Sequence, residues 1–119
     1  MVLVDTSIWI DHLRKPDTDL PRLLDADQVL THAFVIGELA CGLLANRREF
    51  LYDLSRLPRV PAATDLEVME LIERRGLMGR GVGYLDLHLL ASVRLAADVR
   101  LWTRDKQLAT LADELSVVH

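Results

Sequence analysis

The chain has 119 residues, half of them hydrophobic, with a formal net charge of −4. This length fits one compact domain and is too short for two separate cores, so we expect a single domain over residues 1–119. The acidic charge argues against a general polyanion binder, and one cysteine, Cys41, excludes an internal disulfide framework.

The sequence also predicts where the protein resides. No segment approaches the roughly 18 apolar residues that a membrane span requires. The apolar run at the N-terminus is too short for a signal peptide, and Asp5 closes it instead of a cleavage site. We therefore expect a soluble, cytoplasmic protein.

Short apolar runs alternate with helical patterns in the first half of the chain. Val2–Val4 predicts a strand, and the hydroxyls of Thr6 and Ser7 can cap a helix that runs to Leu13 and ends at Pro16.

A brief second helix opens at Asp19 and Pro21. Residues 28–31 then predict a strand, and residues 33–44 and 46–57 predict two further helices.

The second half continues the alternation. Residues 59–60 predict a short strand, and Thr64 with Glu67 has the spacing of a helix capping box. The apolar face of that helix is expected to contain Leu66, Met69 and Ile72.

Glycines between residues 76 and 83 predict a loop. Helices over 84–98 and 106–115 should follow, with strands at 100–103 and 116–118. Strands that alternate with helices imply right-handed crossovers. The sequence therefore predicts a three-layer α/β/α domain with a mainly parallel sheet of four to five strands.

Four acids stand where such a fold places a site. In open α/β sheets, ligands bind outside the carboxyl ends of the strands. Asp5 ends the first strand, Asp105 follows the strand that ends at Thr103, and Asp86 lies in the first turn of a helix. Glu38 lies within a helix among apolar or small residues, where an acid is rare unless it is paired or bound to a metal.

Each acid also has a structural explanation when it is taken alone. Asp5 and Asp105 could cap the helices that follow them, and Asp86 could interact with a helix dipole. Glu38 has no cap to make. The convergence of several acids at one sheet edge is therefore a stronger signal than any one of them.

Clustered carboxylates repel one another, and a divalent cation relieves that repulsion. Oxygen-only ligands favour Mg²⁺, with Mn²⁺ as a substitute, over zinc. Mg²⁺ is commonly held by one or two carboxylates together with substrate phosphate oxygens. The natural reaction is phosphodiester hydrolysis, in which a spare carboxylate orients or deprotonates the attacking water.

The ordered motifs resemble a known family. Residues 2–10 (VLVDTSIWI), Glu38, residues 83–91 (GYLDLHLLA) and residues 101–105 (LWTRD) are similar in type and order to a PIN domain. More narrowly, they resemble the VapC toxins of bacterial type II toxin–antitoxin pairs. The resemblance covers essentially the whole chain.

This resemblance implies an Mg²⁺-dependent endoribonuclease toxin that a VapB-type antitoxin inhibits and that forms a homodimer. By position, Asp5 and Asp86 match the principal metal-binding acids, and Glu38 and Asp105 match the other two acids of the site. Thr6 and Thr103 match hydroxyl positions that support it.

Two arginines are the best candidates for contacting RNA. Arg80 and Arg104 lie near Asp86 and Asp105 in the sequence, and arginine suits bidentate phosphate contacts.

Two other functions remain open at this stage. One is a non-catalytic PIN-like module that binds protein or RNA. The other is a phosphatase of the haloacid dehalogenase kind, which ranks last because that chemistry needs a second Asp at position 7, where this chain has Ser7.

Overall fold

The sheet at the centre of the fold is parallel. A computed structural model describes residues 1–16 and 19–119. The strands are β1 (Val2–Val4), β2 (Val29–Leu30) and β3 (Arg100–Trp102), in the order β2-β1-β3. Leu3 of β1 is in register with Leu30 on one side and with Leu101 on the other. The predicted α/β fold with a parallel sheet is confirmed.

The expected count of four to five strands is wrong, because the described residues form three. The segments at 59–60 and 116–118 contribute only isolated parallel bridges, Thr31 with Arg59 and Leu101 with Val118. Pro58 and Pro61 flank the first segment and have no N–H to donate to a ladder. The second begins at Ser116, whose positive φ of 61° interrupts extended backbone.

Helices connect and follow the strands. They are α1 (Thr6–Arg14), α2 (Leu20–Asp25), α3 (Ala33–Ala40), α4 (Arg47–Ser55), α5 (Asp65–Arg75), α6 (Tyr84–Leu95) and α7 (Lys106–Glu114). Because β2 and β3 lie on opposite sides of β1, right-handed crossovers place α1 and α2 on one face of the sheet and the helices between β2 and β3 on the other. None of the helices in the described part of the chain is long and apolar enough to cross a membrane.

The core is continuous across the sheet and helix α6. Leu3, Val4 and Leu101 of the strands have no exposed surface, and every residue of α6 from Leu87 to Val93 is buried. Burying apolar surface stabilises a fold by roughly 25 cal/mol per Å². The buried contact between the sheet and α6 is therefore the main contribution to the stability of the fold. Helix α6 therefore gives the acid in its first turn, Asp86, a rigid support.

Two helices differ in detail from the expectation. In α5, Leu66 and Met69 are exposed and Val68 is buried instead, so the predicted apolar face is wrong at two of its positions. Helix α3 ends at Ala40 rather than at residue 44, and Cys41 is its exposed C-cap. Residues 41–42 form a turn, in which the N–H of Gly42 donates to the carbonyl of Leu39 at 3.1 Å.

Candidate active site

The strand order predicts a crevice at the carboxyl edge of the sheet, between the ends of β1 and β3. The chain passes from β1 to β2 on one side and later enters β3 on the other, so the topological switch lies between β1 and β3. Asp5 follows β1 and Thr103 follows β3. The N–H of Asp5 donates to the carbonyl of Trp102 at 2.9 Å, which brings the two strand ends together.

Asp5 is the most tightly held of the four acids. It is 5% exposed and is the N-cap of α1. Its Oδ1 accepts from the N–H of Thr6 at 2.7 Å, and its Oδ2 accepts from the hydroxyls of Ser7 at 3.0 Å and Thr103 at 2.6 Å. These bonds occupy both lone pairs of Oδ2 and leave one on Oδ1. Asp5 is therefore fixed in orientation, with one oxygen still able to bind a cation.

Ser7 also contacts Asp5, although it is not among the residues predicted for the site. Its hydroxyl donates to Asp5, accepts from the N–H of Arg104 at 3.0 Å and lies 3.4 Å from the hydroxyl of Thr103. Ser7 could have been identified from its position two residues after Asp5, in the first turn of α1.

Glu38 reaches the crevice from α3. The hydroxyl of Thr6 donates to its Oε1 at 3.4 Å, which is a long and weak contact. The expected apolar enclosure of Glu38 is wrong, because the residue is exposed. Its neighbours Cys41 and Gly42 lie beyond the end of α3 and do not cover it. Partial desolvation, and then the charge of Asp5, still raise the pKa of the Glu38 carboxyl.

Asp86 has the most perturbed carboxyl of the described residues. It lies in the first turn of α6 and is partly buried. Desolvation raises the pKa of Asp86 to about 6, with further contributions from the charges of Asp5, Glu38 and Asp105. The other three predicted acids therefore all act electrostatically on Asp86, and Asp5 also acts on Glu38.

Asp105 contacts the same hydroxyl as Asp5. It is the N-cap of α7, since its Oδ1 accepts from the N–H of Leu108 at 3.1 Å. Its own N–H donates to the hydroxyl of Thr103 at 3.0 Å. Thr103 thus connects Asp5 to Asp105, and a capping role for Asp105 is present in the structure.

The two predicted RNA-contacting arginines are both ion-paired with acids outside this group. Arg80 contacts Glu114 of α7 at 2.8 Å, and Nε of Arg104 contacts Asp11 of α1 at 2.9 Å. Surface pairs of this kind are worth at most about 1 kcal/mol. Arg104 remains beside the acids through its backbone bond to Ser7, whereas Arg80 is held by α7.

The donor set suits a hard divalent cation. Among the residues described, no three Asp, Glu, His or Cys side chains are grouped closely enough to ligate one ion together. Mg²⁺ does not require such a cage, because it keeps several waters and takes one or two carboxylates directly. Burial, and then the charges of the neighbouring acids, raise the pKa of Asp86, and a cation would favour its ionised form against both. Asp5 and Asp86 therefore fit as the direct ligands.

Comparison with known proteins defines the class to which this fold and site belong. The family model of the PIN domain matches residues 2–114. The chain belongs to the PIN domain family, which confirms the resemblance seen in the sequence.

Its similarity to individual proteins is also high. The chain is 47% identical over 117 residues to proteins named Ribonuclease VapC32 from two Mycobacterium tuberculosis strains, CDC 1551 / Oshkosh and H37Rv. Each alignment covers 98% of this chain and 94% of the relative.

Proposed function

We propose that the protein is a Mg²⁺-dependent endoribonuclease and the toxin of a VapBC-type toxin–antitoxin pair. The observation that carries the proposal is the electrostatic coupling of Asp86 to the other three acids at the switch point of the sheet. The 47% identity to proteins named Ribonuclease VapC32 supports RNA as the substrate. Mn²⁺ can replace Mg²⁺ at a site of oxygen ligands.

Asp5 and Asp86 hold the cation in this proposal. Asp5 would contribute the oxygen that its hydrogen bonds leave free, and Asp86 would contribute its carboxylate, whose charged form a bound cation would favour. When bound, Mg²⁺ stabilises charge on the phosphate and lowers the pKa of water beside it.

Glu38 acts as the general base. It is exposed to solvent at the edge of the crevice, and its raised pKa makes it a better proton acceptor than an ordinary glutamate. It orients the attacking water and takes its proton. The water oxygen forms a bond to phosphorus, the bond from phosphorus to the leaving sugar oxygen breaks, and that oxygen takes a proton from solvent.

Asp105 and the hydroxyl residues have supporting roles. Asp105 adds negative charge near Asp86 and also starts α7. Thr6 contacts Glu38, and Thr103 with Ser7 orients Asp5. Arg104 can exchange its contact with Asp11 for an RNA phosphate, because a surface ion pair is weak. Arg80 would have to leave Glu114 to do the same.

Cleavage of RNA by the purified protein tests the catalytic part of the proposal. We expect cleavage with Mg²⁺ that stops with EDTA and in Asp86→Asn. Asp53→Asn, which changes an exposed acid of α4, is the matched control and should cleave as the wild type does. Cleavage that persists both with EDTA and in Asp86→Asn contradicts the metal mechanism.

The toxin part has its own test. Induced expression should arrest growth in the wild type and not in Asp86→Asn. Sequencing of RNA ends after induction should show new ends in the wild type alone. A VapB-type antitoxin that is co-expressed should restore growth. Arrest that is equal in both proteins would contradict a nuclease toxin.

A homodimer in the cytoplasm completes the proposal. It is supported by the similarity to VapC toxins, and light scattering after size-exclusion chromatography measures the mass directly. A mass of about 27 kDa, twice the 13.4 kDa of one chain, is expected. A concentration-independent mass of one chain contradicts the dimer.

The second candidate function is a PIN-like module that binds protein or RNA without cutting it. The observation in its favour is that Asp5 and Asp105 both cap helices and so have structural roles without a metal. It predicts no Mg²⁺-dependent cleavage, and it predicts that Asp86→Asn leaves toxicity and binding unchanged.

A further inference from the structure

A buried hydrogen-bonded junction connects α3 and α6 outside the four acids. Ser92 of α6 and His32, which precedes α3, are each 1% exposed. The hydroxyl of Ser92 donates to the carbonyl of His88 at 2.7 Å, accepts from the N–H of Ala63 at 2.9 Å and lies 3.3 Å from Nε2 of His32. Three segments of the chain therefore meet at one side-chain oxygen.

The pattern of donors and acceptors fixes the state of His32. A serine hydroxyl has one hydrogen and two lone pairs. Because Ser92 gives its hydrogen to His88, it must accept from Nε2–H of His32. Nδ1 of His32 in turn accepts from the N–H of Phe34 at 3.0 Å and caps α3. Both ring nitrogens are occupied in the neutral Nε2–H tautomer.

Beside this junction, four rings lie in a row in which each ring contacts the next. The centroids of His32 and Phe34 are 5.1 Å apart, those of Phe34 and His88 are 5.0 Å apart, and those of His88 and Tyr84 are 4.7 Å apart. The last two pairs have the edge-to-face geometry that aromatic rings prefer. Nε2 of His88 and the hydroxyl of Tyr84 each lie 3.0 Å from Oδ1 of Asp65.

The junction lies only a few residues along the helices from two of the acids. Glu38 follows His32 by six residues along α3, and Asp86 precedes Ser92 by six residues along α6. Six residues of α-helix span about 9 Å. A shift of either helix at the junction therefore moves the acid that the helix carries.

We propose that His32 and Ser92 are positioning residues. They hold α6, which carries Asp86, against the segment that follows β2. Because β2 pairs with β1, the strand that precedes Asp5, they set the position of Asp86 relative to Asp5 and thereby the affinity of the site for its cation. The proposal rests on the metal site described above and does not depend on RNA being the substrate. Groups that hydrogen-bond to metal ligands commonly change metal affinity by 10- to 100-fold when they are removed. His32 and Ser92 act through α6 and not directly on a ligand, so the lower end of that range is expected.

Direct binding of Mn²⁺, followed by electron paramagnetic resonance, tests this without any cleavage assay. We expect Ser92→Ala to weaken Mn²⁺ binding about tenfold, because the bridge to α3 is lost. In His32→Asn, the asparagine still offers an acceptor for the cap of α3 but does not reproduce the contact with Ser92. This variant should therefore weaken Mn²⁺ binding to a similar extent. The double variant should bind Mn²⁺ about as well as Ser92→Ala alone, because Ser92→Ala already removes the His32–Ser92 contact together with the bonds to Ala63 and His88.

Leu23→Ala is the matched control for a loss of stability alone. Leu23 is 6% exposed on α2, which leads into the amino end of β2, at the opposite edge of the sheet from the acids. In protein that remains folded by circular dichroism, it should bind Mn²⁺ as the wild type does.

The outcomes separate this proposal from the nuclease function. Wild-type Mn²⁺ affinity in Ser92→Ala, or losses that add in the double variant, overturns the positioning role. The expected pattern of Mn²⁺ binding in a protein that cuts no RNA supports the positioning role and contradicts the ribonuclease. If His32→Asn does not fold, the comparison of Ser92→Ala with Leu23→Ala decides.

Discussion

The hydroxyl of Thr103 donates to Oδ2 of Asp5 at 2.6 Å, although 98 positions separate the two residues in the chain. The hydroxyl oxygen of Thr103 also accepts from the N–H of Asp105 at 3.0 Å and lies 3.4 Å from the hydroxyl of Ser7. One side chain therefore connects the end of β1 with the end of β3 and with the start of α7. It orients a carboxylate and helps to fold the region that carries it.

Thr103→Val tests this double role, because valine keeps the shape and removes the hydroxyl. A hydrogen bond to a charged group is worth about 1.5–3 kcal/mol, so we expect the free energy of unfolding to fall by about 2 kcal/mol in urea titrations with EDTA. Thr110→Val is the control. It removes an exposed hydroxyl that donates to the carbonyl of Lys106 and should change stability by less than about 0.5 kcal/mol. Equal effects in the two variants would contradict the role of Thr103.

Asp86→Asn should stabilise the metal-free protein at neutral pH. The native pKa of Asp86 is about 6 and its ordinary value is 3.8. Below about pH 4 both states hold the proton. As the pH rises toward 6, the unfolded state releases the proton first, so the native state loses stability. Allowing for solvent screening of a partly exposed group, we expect Asp86→Asn to gain on the order of 1–2 kcal/mol above pH 6.

The measurement is thermal or urea unfolding with EDTA at several pH values. The gain in Asp86→Asn should shrink as the pH falls below 6. Asp113→Asn, at an exposed acid of α7, is the control and should show no such trend. A gain that is independent of pH would show that ionisation of Asp86, which burial and the neighbouring acids disfavour, is not its cause.

Glu38→Gln separates proton transfer from metal binding. Loss of a general base typically costs 10²- to 10⁴-fold in rate. We therefore expect kcat for RNA cleavage to fall by at least about 100-fold, while Mn²⁺ binding changes little. Glu73→Gln, at an exposed acid of α5, should leave both quantities unchanged. If Mn²⁺ affinity falls in Glu38→Gln as it does in Asp86→Asn, Glu38 is a ligand and not the base.

The sequence predicted the strand ends and helix caps around the candidate site well, because these are local features. Asp5 and Asp105 each follow a strand and cap a helix, and both roles are visible in the residues that follow them. The parallel sheet and its switch point follow from the alternation of strands and helices.

The sequence was less informative where long-range packing decides. Helix periodicity placed Glu38 among apolar neighbours on both sides along the helix. Because α3 ends at Ala40, the neighbours expected on the C-terminal side of Glu38 are not part of the helix. The His32–Ser92 contact spans 60 positions, and no local pattern indicates that a capping histidine will meet a helical serine. Ion pairing of Arg80 with Glu114 likewise depends on where α7 packs.

His32 should make the protein less stable in mild acid. Burial, and then the positive charges of His88 and Arg59, lower the pKa of His32 below its ordinary value of 6.5. As the pH falls below 6.5, His32 becomes protonated in the unfolded state but stays neutral in the native state. The free energy of unfolding therefore decreases until the pH reaches the native pKa of His32. Protonation would also place a hydrogen on Nδ1, facing the N–H of Phe34, and abolish the cap.

His32→Asn keeps an acceptor for the cap and removes the titrating group. We therefore expect wild-type stability to fall more steeply than that of His32→Asn below pH 6.5, by at most about 1.4 kcal/mol per pH unit. Urea unfolding of both proteins with EDTA measures this difference. The pKa of His119 is also lowered, mainly by burial, but that residue is present in both proteins and cancels in the comparison. Parallel stability curves between pH 5 and 7 would mean that His32 either keeps its ordinary pKa or is not buried in the folded protein.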